Sequence, residues 1–243
     1  MSENITGIGC LYGVGVGPGD PELLTIKAFN ILSRVPVIFV PRTSDENEGF
    51  ASSIIIEQIK GAAQKVVGLV LPMTRDAELL KKHWEEAADR IWERLFRGED
   101  AAFINIGDPL LYGTFIYIQR TLQSRHPEIK VEVVPGISSV NSAAAAALFP
   151  LATGSERVAI VAGERDEEFI RETLKNFDTV IFLKVNMIFS KLSAILEELN
   201  LSAKCVYVRR SSGIDQEIVR DIRSLKGTKL DYFSVLLVRR EKG

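Results

Sequence analysis

The sequence predicts an α/β fold in two domains, on three observations. Short β-branched runs alternate with longer helical patterns through the first half, strand-like runs resume after Ser138, and Gly-Asp-Pro marks two strand-to-helix corners. A chain of 243 residues that is 46% hydrophobic can build two cores, and the division is placed between residues 136 and 137, giving domains 1–136 and 137–243. Candidate strands of the first domain are Cys10–Val16, Val35–Val40, Lys65–Val70, Ala101–Ile106 and Val131–Val134. The segments between them read as helices, clearest over Ala77–Arg97. There Leu80, Trp84, Ala87, Ala88, Ile91 and Leu95 recur at three- and four-residue spacing, and Gly98 supplies the stop. Trp84 therefore reads as core. The second domain opens with a small-residue helix, Ser142–Leu148, whose alanines allow close packing. Strands Val158–Ala162, Thr179–Leu183, Cys205–Val208 and Phe233–Val238 follow.

Composition excludes several function classes. The chain has 30 basic and 32 acidic residues, a formal net charge of −2, so no overall field draws it to nucleic acid or to an anionic membrane, and neither is expected as a partner. The start, Met1–Thr6, lacks the pattern of a secretory signal, and no apolar run approaches the roughly 18 residues of a membrane span. Cys10 and Cys205 lie in apolar strand-like segments and read as buried thiols, which points to a cytoplasmic location. His83 and His126 lack ligand spacing, so no protein-bound metal is expected.

The functional argument rests on loops. Gly19-Asp20-Pro21 and Gly107-Asp108-Pro109 each follow an apolar strand. Aspartate suits a helix N-cap and proline the first helical position, so local structure explains much of both motifs. It leaves unexplained the alternation of Gly13, Gly15, Gly17 and Gly19, which implies close approach of backbone to something. A dinucleotide fingerprint fails, because the sixth position is Pro18 or Asp20 instead of glycine and the second strand ends in Phe39-Val40-Pro41 without an acidic residue. A phosphate loop fails for want of Gly-Lys-Ser/Thr. With the loops over residues 41–47, 71–75 and 134–139, these corners leave the carboxyl ends of parallel strands, the edge where open α/β proteins bind ligands.

GVGVGPGDPELLT at residues 13–25, GDPLLYGT at 107–114 and VPGISS at 134–139 resemble, in that order, the tetrapyrrole methylases, and the resemblance spans nearly the whole chain. TVIFLKVN at 179–186, YVRRSS at 207–212 and DYFSVLLVRR at 231–240 are similar to the branch that methylates carbon 20 of precorrin-2 or cobalt-factor II. The chain departs from the pattern at Leu230 and Asp231, where a Gly-Pro pair is expected. The resemblance implies two α/β domains of the class III methyltransferase type, an active site in the cleft between them, S-adenosylmethionine as methyl donor, a tetrapyrrole substrate and a homodimer. It implies a donor pocket lined by Pro18, Gly107, Asp108, Leu110, Ser138 and Ser139 and closed by Leu183, Lys184, Cys205 and Val206.

Methyl transfer from a sulfonium to carbon depends more on positioning than on proton transfer, so no general base is assigned. Asp108 and Tyr112 are the candidates. A substrate rich in carboxylates requires basic side chains at the site, and Arg42, Lys184, Arg209 and Arg210 stand beside the loops. The alternatives are another tetrapyrrole methylase, such as one acting on uroporphyrinogen III, a nicotinamide-dependent oxidoreductase, and a noncatalytic ligand-binding module.

Overall fold

The computed structural model describes residues 7–44, 64–163 and 166–240. The polar start, residues 45–47 of the second loop and most of the segment between the second and third strands lie outside them. The chain divides into two compact units, Met1–Ser138 and Ser139–Gly243.

The first unit is built on five parallel strands, β1 (Cys10–Gly15), β2 (Val37–Arg42), β3 (Lys65–Val70), β4 (Ala101–Asn105) and β5 (Lys130–Val134), in the order β3-β2-β4-β1-β5. Alternation along the strands feeds two cores. On one face α1 (Ile26–Leu32), capped by Thr25 Oγ1 accepting from Ala28 N at 3.1 Å, buries Ala28, Ile31 and Leu32 against Val14, Ile38 and Ile104. On the other, α2 (Ala77–Phe96) and α3 (Phe115–Arg125) bury Ile91, Leu95, Ile118 and Leu122 against Leu11, Phe39 and Phe103. Each such fully buried side chain contributes about 1.5–3 kcal/mol over its exposed state. The stripe read from the sequence is the buried face of α2: Ala87, Ala88, Ile91 and Leu95 are buried, and Trp84 packs at the margin, stacked on Tyr117 at 4.5 Å. Gly98 ends the helix with φ +79°, its N–H reaching Leu95 O at 2.9 Å.

This topology creates a switch point. The connection leaving β1 runs by α1 over one face towards β2, whereas that leaving β4 runs by α3 over the other face towards β5. β1 and β4 are neighbours whose connections go to opposite faces of the sheet, the arrangement at whose carboxyl end ligands bind in open α/β sheets. Both Gly-Asp-Pro loops emerge there.

The second unit holds a mixed sheet of β6 (Val158–Ala162), β7 (Thr179–Leu183), β8 (Cys205–Arg209), β9 (Glu217–Val219) and β10 (Ser234–Arg239), ordered β6-β7-β10-β8-β9. β6 and β7 are parallel and β10 is antiparallel to both β7 and β8, so β6, β7 and β8 end at one edge. α5 (Glu167–Asn176) and α6 (Phe189–Glu198) bury Ile170, Leu174, Leu192 and Ile195 against Phe182, Tyr207 and Leu236. α4 (Ser139–Ala147) packs against β10 and β8.

Several boundaries differ from the sequence reading. β2 begins at Val37, because Val35 N–H bonds Ile31 O and completes the end of α1, and it continues through Pro41 and Arg42. Pairing with β4 stops at Phe39, so beyond that point β2 is bonded on one side alone and tolerates a proline. α4 starts at Ser139, three residues early, and stops before Leu148, whose φ of +50° cannot continue a helix. The sequence reading missed β9, an edge strand of three residues, too short for alternation to register.

Candidate active site

Three loops of the first unit meet at the switch point. After β1 the chain bonds the loop after β4 twice: Val16 N–H reaches Asn105 O at 2.9 Å, and Gly107 N–H reaches Gly17 O at 2.8 Å. Gly17 and Gly107 adopt φ of +79° and +70°, a region that costs other residues roughly 1–2 kcal/mol. The loop after β5 crosses close behind. A Cβ on Gly136 would stand 2.1 Å from Gly107 O and 2.8 Å from Gly15 Cα, so side chains are excluded there by backbone.

Asp108 locks this junction. Its Oδ1 accepts Leu110 N–H at 2.9 Å and its Oδ2 accepts Gly136 N–H at 3.1 Å, tying the second loop to the third. The expected helix N-cap is corrected here. α3 begins at Phe115 after Thr114, and Asp108 closes a turn; only Asp20 caps, over the short 3₁₀ turn Pro21–Leu23, by accepting Glu22 N–H at 2.8 Å. Asn105, 6% exposed at the end of β4, supports the same loop, its Nδ2 donating to Ile106 O at 2.8 Å and Asp108 O at 3.3 Å.

The close approach implied by the glycine alternation is made, at Gly13 and Gly15, to the protein itself. A Cβ on Gly13 would meet the Phe115 ring at 2.4 Å, and one on Gly15 would meet Gly107 O and Gly136 at 2.6 Å. Packing of the protein against itself therefore accounts for these two glycines. Around the junction, Pro18 and Gly107 are buried, Ser138 is 8% exposed, and Ser139 is the half-buried first residue of α4. Leu110 and Tyr112 turn outward, 55% and 50% exposed, and Tyr112 holds a left-handed φ of +54°.

In the second unit the register sorts the remaining candidates. Leu183 lies opposite Val235, and Val235 opposite Val208, so Leu183, Lys184, Arg209 and Arg210 come together at one edge. Lys184 lies over the Tyr232 ring, 5.6 Å from its centroid. Cys205 is opposite Val238, which faces Val180, and so stands three residues, about 10 Å, from that edge. It is 2% exposed, its thiol donates to Leu201 O at 3.1 Å, and burial pushes it up to about 12. Val206, opposite Leu237, is likewise interior. Cys205 and Val206 therefore lie away from the edge that holds Leu183 and Lys184.

The basic candidates are also engaged. Arg210 Nε donates to Asp231 Oδ2 at 2.7 Å and its Nη1 to Asp215 Oδ2 at 3.3 Å, while Arg209 Nε lies 3.1 Å from Glu217 Oε2 without the alignment of a hydrogen bond. Arg42 lies flat over Gly68, with its buried Nε lacking a hydrogen-bond partner. Asp231, the departure from the expected Gly-Pro pair, organises this rim. Burial works to raise its carboxyl, but Phe233 N–H at 2.8 Å and Arg210 outweigh it and hold the group below the ordinary carboxylate value. Sequence reasoning missed Asn105, Gly136 and the role of Asp231. A polar residue closing an otherwise apolar strand signals the first; the others depend on contacts distant in sequence.

The pattern of the family described as Tetrapyrrole (Corrin/Porphyrin) Methylases matches residues 10–225. The probable cobalt-precorrin-2 C(20)-methyltransferase of Methanocaldococcus jannaschii is 37% identical over 96% of each chain. The cobalt-precorrin-2 C(20)-methyltransferase of Salmonella typhimurium is 27% identical over 96% of this chain and 97% of its own. The uroporphyrin-III C-methyl transferase of Thermus thermophilus, solved in complex with S-adenyl homocysteine, superposes with a TM-score of 0.65 at 22% identity, over 96% of this chain and 98% of that one.

Proposed function

The chain belongs to the tetrapyrrole methylases, and we propose that it transfers a methyl group from S-adenosylmethionine to carbon 20 of precorrin-2, in its cobalt-bearing form first, during cobalamin biosynthesis. The observation that carries the reading is the junction of three loops at the β1–β4 switch point, which contains the family's motifs at the edge where such folds hold ligands. The corner suits a donor with an apolar base and polar appendages: Leu110 and Tyr112 expose apolar surface, while Ser138, Ser139 and the bonded backbone of residues 107–110 offer polar groups. Pro18, Gly107, Asp108, Leu110, Ser138 and Ser139 are the proposed donor contacts, with Leu183 and Lys184 from the second unit.

When bound, S-adenosylmethionine supplies a methyl group activated on a sulfonium. The chain's own contribution is geometric. Both carboxylate oxygens of Asp108 are committed to backbone N–H groups, so Asp108 acts as a positioning residue that fixes two loops, rather than as a proton acceptor. Holding reactants close and aligned can lower a barrier by about 7–11 kcal/mol, which makes loop rigidity the main catalytic asset. The acceptor carbon of a reduced tetrapyrrole is enamine-like and needs no base to become nucleophilic. The reading includes a homodimer and a cytoplasmic location; among the described residues, no helix is long and apolar enough to cross a membrane.

Incubation with S-adenosylmethionine and precorrin-2, with and without inserted cobalt, tests this. The expected product gains one methyl at carbon 20, faster with cobalt. Methylation of uroporphyrinogen III instead, or no turnover of either form, would overturn it.

A further inference from the structure

Tyr232 has no role in the site as described so far, yet its ring faces Lys184 at one edge of the second sheet. β7 is buried from Thr179 to Leu183, and Lys184 follows it as a half-buried residue at the strand's carboxyl end. There it adopts φ +56° and ψ +40°, a left-handed conformation that a lysine keeps only where its surroundings enforce it. Its ammonium lies 5.6 Å from the centroid of the Tyr232 ring, within the range of attraction by a ring face. The ring is itself held. Phe233 meets it edge-on at 5.4 Å and 86°. The Asp231 carboxylate accepts Phe233 N–H at 2.8 Å and Ser234 Oγ donates to Asp231 O at 2.7 Å, closing a turn around Tyr232. Arg210 N–H adds a 2.8 Å bond to Phe233 O, which anchors that turn to the end of β8.

The carboxylates of this edge are taken up elsewhere. Glu217 lies against Arg209, and Asp215 and Asp231 lie against Arg210, so Lys184 has no ion pair among the described residues and the ring holds its charge in place. An aromatic face fixes an ammonium without occupying its N–H donors, which stay available to an incoming acceptor. We propose that Tyr232 is a positioning residue for methyl transfer: its ring holds the Lys184 ammonium where it meets the carboxylate on the amino-acid end of the methyl donor. The assignment rests on the function proposed above, in which Lys184 is a donor contact. It makes binding of the amino-acid end depend on Tyr232 and binding of the adenosine end independent of it.

Calorimetry on the full-length protein tests this with two ligands, S-adenosylhomocysteine and methylthioadenosine, which lacks the amino-acid end. Tyr232→Leu and Lys184→Met are each expected to weaken S-adenosylhomocysteine binding about threefold to tenfold and to leave methylthioadenosine binding unchanged. Tyr232→Phe keeps the ring face and should bind both ligands like the parent. The double variant, Tyr232→Leu with Lys184→Met, should lose no more than Lys184→Met alone, because one residue acts through the other. Unchanged S-adenosylhomocysteine affinity in Tyr232→Leu, equal loss of both ligands, or additive losses in the double variant would overturn the assignment while leaving the proposed function standing. A parent protein that binds neither ligand would overturn the proposed function, and this assignment with it.

Discussion

Gly136→Ala tests the loop junction most sharply. The added Cβ would lie 2.1 Å from Gly107 O and 2.8 Å from Gly15 Cα. Carbon and oxygen settle at about 3.3 Å or more, so one loop must retreat by about 1 Å. Both obstacles are backbone, and the loop cannot retreat without stretching the 3.1 Å bond from Gly136 N–H to Asp108. Overpacking of this kind costs about 1–3 kcal/mol, or about 2–12 °C in melting temperature for a chain of this length. Misplacement by about 1 Å lowers turnover on the order of a hundredfold. Thermal melting, calorimetry with S-adenosylhomocysteine and a turnover assay report the three effects. Gly154→Ala is the control: it has φ +57° and nothing within 4 Å of the new Cβ, so it should cost about 1–2 kcal/mol of backbone strain and leave donor affinity unchanged. A Gly136→Ala protein that melts, binds and turns over like the parent would refute the idea that backbone contact between loops shapes the site.

Asp108→Asn should weaken S-adenosylhomocysteine binding about tenfold, since its amide presents a donor to one of two backbone N–H groups, while the pH profile of turnover stays in place; a displaced profile would assign Asp108 a proton. Arg210→Ala should destabilise the protein by about 1 kcal/mol at neutral pH by stranding Asp231. Because Asp231 is depressed in the folded state, that contribution is present above its unfolded value and fades as pH falls through the folded one, so denaturation curves of parent and variant should converge in acid. Cys205 titrates the other way. Its folded value of about 12 lies above the ordinary 9.0, so the unfolded chain ionises first and stability falls as pH climbs between them. Chemical denaturation at about pH 9 and 11 should show the parent losing roughly 2–3 kcal/mol more than Cys205→Ala.

Much of the architecture was legible because periodicity reports burial. The stripe from Leu80 to Leu95 and the β-branched runs of β1 to β5 follow directly from which faces meet the core. Corners were legible as turns but not in their purpose. The glycines at 13 and 15 look alike in sequence whether they admit a ligand, the Phe115 ring or another loop, and only the fold decides between these. Similarly, Asp20 and Asp108 share a tripeptide, yet a helix follows one and a turn the other, since Asn105 draws Ile106 and Asp108 into a closed loop. The arginines at 209 and 210 stand at the end of β8 beside Lys184, and their acidic partners lie 5 to 21 residues away, outside any local pattern.

A crystal structure of the protein with S-adenosylhomocysteine addresses the central claim directly. The ligand should contact the backbone of residues 107–110 and 136–139 at the β1–β4 switch point. Density for it elsewhere, with both loops untouched, would contradict the account.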